Sequence, residues 1–152
     1  MADNADLIKL YSGRILALAA DIPHHARLDA PQTSVKRRSP LCGSTVTVDL
    51  DMQDGRISRF GQDVKACALG QAAAAVLGQV VIGRTPTELT KAREQLRAML
   101  TASGPVPDAP FEGYEVLIPA QEYRNRHASI LLALDATVEG CLHLQNQSTN
   151  AL

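Results

Sequence analysis

An α+β fold, a small three-stranded antiparallel sheet with helices packed on one face, is what this sequence predicts. Three observations lead to it. Val46, Val48 and Leu50 alternate with Thr45, Thr47 and Asp49, the period of a half-buried strand. Asp54-Gly55 then supplies a two-residue turn into Arg56-Ile57-Ser58-Arg59-Phe60, a hairpin partner. On both sides of this block the apolar spacing changes to three and four residues, which is helical. Helix, strands, then helices reads as one layer of helices on a sheet.

The elements follow in order. Residues 6–20 carry Leu7, Ile8, Tyr11, Ile15 and Leu18 on one helical stripe, and Pro23 closes it. Residues 24–39 are polar, with Pro31 and the cluster Lys36-Arg37-Arg38, and read as an extended surface connection. The cluster is either a solvated loop or a patch for a partner. After the hairpin, Gly61-Gln62-Asp63 offers a second bend into a short third strand through Val64, and the unequal parity of Ile57 and Phe60 predicts a bulge. Residues 67–81 form an alanine-rich helix. Thr85-Pro86-Thr87-Glu88 is a capping box opening a helix with Leu89, Ala92, Leu96 and Met99 on its buried stripe. Residues 103–110 are loop, and 111–118 are helical or irregular. A last helix over 123–141 carries His127, Leu131, Leu134 and Val138 on one face, before a polar, frayed tail at 145–152.

Composition narrows the function classes. A chain of 152 residues that is 45% hydrophobic and 20% charged builds a single domain over 1–152. Aromatics at 3% and a net charge of −1 supply neither stacking surface nor basic footprint for nucleic acid. Gln71 and Gln79 interrupt the apolar run 66–83, which reads as a buried helix and not a membrane span. Three cysteines without a signal peptide point to free thiols in the cytoplasm.

The chemistry centres on two of them. Cys42 lies in Ser39-Pro40-Leu41-Cys42-Gly43-Ser44, a tight loop opening a strand, and Gly43 leaves room for close approach. Cys67 lies in Lys65-Ala66-Cys67-Ala68-Leu69-Gly70-Gln71, where strand gives way to helix. A helix start and a cation nearby lower a thiol pKa. Two thiols at the ends of one sheet suggest a shared site, although free cysteine is also a common small core residue. His127 points inward, as a core histidine or a ligand. Cys141, about 21 Å further along that helix, is structural, and the adjacent His24 and His25 carry no assigned role.

Together these segments, with Arg126-His127-Ala128-Ser129-Ile130-Leu131 and the opening Tyr11-Ser12 helix, resemble the iron–sulfur cluster assembly scaffold family of the NifU amino-terminal, IscU and SufU type over about residues 5–140. The resemblance implies a non-enzymatic scaffold holding a [2Fe–2S] cluster, zinc or iron at Cys42, Cys67 and His127. It also implies a cysteine desulfurase and recipient iron–sulfur apoproteins as partners. Family members commonly have aspartate where this chain has Ser44, and a third cysteine where it has Ala128. The fourth ligand then falls to Ser44, a carboxylate such as Asp63, water or a partner's thiol. Two other classes compete: a small structural zinc domain for protein interaction, and a thiol enzyme with Cys67 as nucleophile and His127 as base.

Overall fold

The computed structural model describes residues 4–150, with side chains described over 12–147. Helix α1 (Asn4–Ala19) is followed by three antiparallel strands, β1 (Thr33–Arg38), β2 (Thr45–Gln53) and β3 (Arg56–Lys65), in the order β1-β2-β3. Helices α2 (Ala68–Val80), α3 (Pro86–Ala102) and α4 (His127–Asn150) complete the fold, with 3-10 turns over Glu112–Glu122 and Arg124–Arg126 between the last two. The α+β architecture expected from the sequence is the one observed. Helix α4 lies across β1 and β2, α2 packs against α4, α1 and β3, and α3 covers α4 from outside. Of the first stripe, Ile15 is buried and Leu18 half-buried; the side chains of Leu7, Ile8 and Tyr11 lie outside the described residues.

Two expectations are corrected in the sheet. The second half of the supposed connection over 24–39 is β1, paired from Thr33↔Leu50 to Arg38↔Thr45. It is an edge strand in which only Val35 is fully buried, so it carries no apolar alternation. Its Lys36-Arg37-Arg38 charges guard an open edge, and Arg37 reaches α4 through a 2.7 Å ion pair with Glu139. The bend expected at Gly61-Gln62-Asp63 does not form, because β3 runs unbroken to Lys65. Gly61 serves a close approach instead: a Cβ there would collide with the backbone carbonyl of Ala26. Residues 24–28 therefore lie against β3, where the Gln62 amide donates to the His24 carbonyl at 2.9 Å.

Other local signals behave as read. Asp54 and Gly55 both take positive φ, 55° and 77°, as a tight hairpin with matching twist requires. Asp51 opposes Arg59 while Met52 opposes Ile57, so Ser58 is the bulged residue, and both Ile57 and Phe60 are buried. The segment left open after residue 110 is a 3-10 helix with Tyr114, Val116 and Leu117 buried. Helix α4 continues past Cys141 to Asn150, since neither glycine nor proline interrupts residues 141–150. The apolar run 66–83 is mostly α2, with Ala72 to Gly78 buried; no helix among the described residues is long and apolar enough to cross a membrane.

The capping box of α3 is complete. Thr85 Oγ1 accepts from the Glu88 amide at 3.2 Å, and Glu88 Oε1 accepts from the Thr85 amide at 3.1 Å. Thr85→Ala is expected to cost about 1 kcal/mol, measured by denaturant titration. A loss indistinguishable from zero would mean that tertiary packing alone sets this helix start.

Candidate functional site

The sheet ends where Arg38 opposes Thr45 and Thr45 opposes Lys65. That register stacks the 39–44 loop, the β3–α2 junction and the start of α4 at one end of the molecule. The loop is closed by two backbone bonds, Ser39 amide to Ser44 carbonyl at 2.8 Å and Gly43 amide to Ser39 carbonyl at 2.9 Å. Gly43 takes φ +69° to close it, a conformation that costs glycine least. Cys42 is thereby set at the loop tip, half-buried, and its thiol donates to the Asn125 carbonyl at 3.1 Å. The Ser39 hydroxyl approaches the same sulfur at 3.7 Å.

Cys67 is the residue before the first turn of α2, with extended backbone. Its sulfur lies 3.6 Å from Ser129 Oγ, and Ser129 donates to Ser44 Oγ at 2.9 Å. Ser44 closes the loop whose tip is Cys42, so through Ser44 and Ser129 the loop that carries Cys42 meets the start of α2 that carries Cys67. Burial pushes the Cys67 thiol up. The Gly70 amide, the Ser129 hydroxyl, the Leu69 amide and the charge of Arg126 outweigh it and hold the thiol below its usual range. The helix start was legible in the sequence; the cation is Arg126, whereas Lys65 faces Asp63 at 4.0 Å.

The structure does not bring His127 to this cluster. The ring is buried, and Nε2 donates to the Ala120 carbonyl at 2.9 Å. It lines a groove of about 650 Å³ with Leu100, Thr101, Ser103, Gln121 and Arg124, and neither thiol is among the walls. The reason is helical geometry: Ser129 follows His127 by two residues, about 200° around the axis, and Ser129 is the side facing Cys67. Among the described residues no three His, Cys, Asp or Glu side chains gather as a metal site. Cys141 is fully buried, its thiol pushed up to about 11 by burial.

Ser129 is the residue that sequence reasoning passed over. A serine carries no ligand signal, yet its offset from His127 placed it on the opposite side of α4. Gly70 confirms how tightly it is held, because a Cβ there would lie 2.7 Å from Ser129 Oγ. Helix α2 approaches α4 this closely only with glycine at that position.

The chain is similar to the crystal structure of a nitrogen-fixing NifU-like protein (N-terminal) from Brucella abortus. Identity is 40%, the match covers 92% of this chain and 98% of that one, and the TM-score is 0.88. The chain belongs to the NifU-like family. Two more distant structures share the fold of this NifU-like chain: a hypothetical protein at 19% identity with a TM-score of 0.72, covering 88% of this chain and 97% of that one, and a SufU protein from thermophilic Fervidobacterium islandicum AW-1 at 18% identity with a TM-score of 0.75 and the same coverage. No family model and no curated protein matches it.

The thiols of this NifU-like chain differ in chemistry as well as place. In a brief iodoacetamide pulse at neutral pH, Cys67 is expected to be alkylated well before Cys141, since a lowered pKa leaves more thiolate at a half-buried position. Peptide mass spectrometry reads this directly. Equal labelling of the two would contradict it.

Proposed function

We propose that the chain is an iron–sulfur cluster assembly scaffold or carrier, on which a [2Fe–2S] cluster is built at Cys42 and Cys67 and passed to a recipient. The observation that carries this reading is the placement of two free, half-buried thiols at one end of the sheet of a NifU-like chain, one of them at a helix start under a guanidinium. Thiolates are the ligands that iron–sulfur clusters take, and zinc competes for the same donors. Half-buried ligands suit cargo that must leave again. In this reading His127, engaged by Ala120, anchors the 3-10 segment to α4, and the thiols carry the cluster.

A cysteine desulfurase as sulfur donor, iron–sulfur apoproteins as recipients and a reducing cytoplasm complete the proposal. The thiol-enzyme reading needs an imidazole at Cys67, a place taken by Ser129 at 3.6 Å. A structural zinc site is closed by four protein ligands and keeps its metal, whereas two half-buried thiols leave positions open for exchange, as a carrier needs. Purification without oxygen, followed by metal and acid-labile sulfide analysis with an absorption spectrum, tests the proposal. Iron and sulfide in equal amounts with visible charge-transfer bands are expected; zinc alone after reconstitution with iron and sulfide would overturn it.

A further inference from the structure

We infer that the open edge of β1 docks an extended acidic segment of a partner protein, which pairs with it as a further strand of the sheet. The chain treats the two edges of that sheet differently. Along β3 outward amides are taken: Ile57 donates to the Arg84 carbonyl at 3.0 Å, Gln62 to the His24 carbonyl at 2.9 Å and Val64 to His25 Nε2 at 3.3 Å. Along β1 alternate residues also direct N–H and C=O away from β2, and among the described residues no hydrogen bond meets them. Thr33–Arg38 contains no proline, so every one of its amides can donate to an added strand.

The charges name the occupant. Lys36 and Arg38 lie on the helix-free face of the sheet, opposite Thr47 and Thr45, and neither has an ion-pair partner among the described residues. Asp63, one strand further on, faces Lys65. Arg37 points to the helix side, where it lines a groove of about 350 Å³ with Arg93 and Arg97 of α3 and Asp135, Glu139 and Leu142 of α4. Arg37 and Arg97 bond Glu139 and Glu94 through Nη1 alone. Arg93 Nε is buried without a hydrogen bond, although Glu94 and Asp135 lie 3.4 and 3.9 Å away. A guanidinium carries several donors in a fixed fork, so these three keep donors for a further carboxylate. Cations outnumber carboxylates along this edge in a chain whose net charge is −1.

A second copy is the wrong occupant, because β1 against β1 sets like charges opposite one another. An acidic strand fits both faces, since side chains of an extended chain alternate. Carboxylates of one parity reach Lys36 and Arg38, and those of the other reach the three groove arginines. Leu142, 47% exposed at the groove wall, takes an apolar neighbour. Backbone pairing supplies affinity and the charges supply selectivity, as in other strand additions. Ser39, the residue after β1, opens the Cys42 loop, so docking sets the partner beside the thiols. It needs neither thiol, and it goes beyond the scaffold reading.

The probe is a fluorescein-labelled peptide of about eight residues, a common strand length, built from glutamate, valine and threonine with glutamates on both sides of the extended chain. It is titrated into the full chain by fluorescence anisotropy, and hydrogen exchange is read at the β1 amides. Saturable binding that slows exchange of the outward amides is expected. Glutamine in place of glutamate, or Lys36→Glu combined with Arg38→Glu, should each weaken binding roughly tenfold, as loss or reversal of several exposed ion pairs does. Far-ultraviolet circular dichroism of the variant should be unchanged, both positions being exposed. N-methylation of all the peptide's amides removes its strand donors, keeps its charges and should abolish the protection. No saturable binding, or equal binding by the glutamine peptide, the variant or the N-methylated peptide, would overturn the inference. Protection of the same amides in the free chain that rises with its own concentration would place a second copy on the edge and overturn it too.

Discussion

Asp49→Ala is expected to destabilise the fold by about 3 kcal/mol. The Asp49 side chain is fully buried on β2, facing away from the helices. Arg27 Nε and Nη2 donate to it at 2.7 and 3.1 Å, the Leu28 amide at 3.0 Å, and the Ser34 hydroxyl completes the set. These bonds hold residues 27–34 to the sheet, and with them the edge strand that leads into the Cys42 loop. Removing the carboxylate strips four donor groups on three residues of their acceptor. Arg27 is more than half exposed and is rehydrated, which keeps the loss below that of a fully buried pair.

The same carboxyl has a pH signature. Burial pushes it up, but Arg27, Ser34 and the Leu28 amide outweigh burial and hold it below the usual carboxylate range. A depressed folded-state pKa contributes stability above the unfolded value, about 4, and the contribution disappears as pH falls through the folded value. Urea titrations at neutral pH and below pH 4 check both points: Asp49→Asn should lose less than wild type on acidification. A neutral-pH loss under about 1 kcal/mol for Asp49→Ala would mean that this network does not hold the segment.

How much could be read beforehand depends on where burial left a pattern. Thr45 to Leu50 alternates because one face meets α4, so β2 and the turn at Asp54-Gly55 were legible, while the length of β3 was not. Strand β1 was not, because a charged edge strand with Val35 alone inside has no period to detect. Gly61 was taken for a turn because glycine marks turns and close approaches alike, and only the position of Ala26 separates the two. The loop and helix-start contexts of the thiols put them at the ends of one sheet, and the register of β1, β2 and β3 is what sets both segments at the same end. His127 was placed correctly on a buried stripe with Leu131 and Leu134, but a stripe does not say which neighbours its first residue meets. The 100° step per residue was enough to separate it from Ser129, once α2 was known to pack on the Ser129 side.

The largest functional effect is expected from the thiols themselves. Cys67→Ser and Cys42→Ser should each lower cluster retention by more than the roughly 10- to 100-fold that loss of a supporting contact costs a metal site, because a hydroxyl replaces the thiolate. Ser129→Ala removes one donor to Cys67 and should fall within that smaller range. Cys141→Ser alters a buried sulfur outside the polar cluster and should keep the cluster if the variant folds, which circular dichroism verifies. His127→Ala breaks the bond to Ala120 without removing a thiolate. The most direct measurement is the iron and acid-labile sulfide content of these variants after reconstitution without oxygen, challenged with a chelator. Cys42→Ser and Cys67→Ser are expected to be empty while Cys141→Ser and His127→Ala stay loaded; a loaded Cys67→Ser variant, or a folded His127→Ala variant as empty as the two thiol variants, would contradict the two-thiol site.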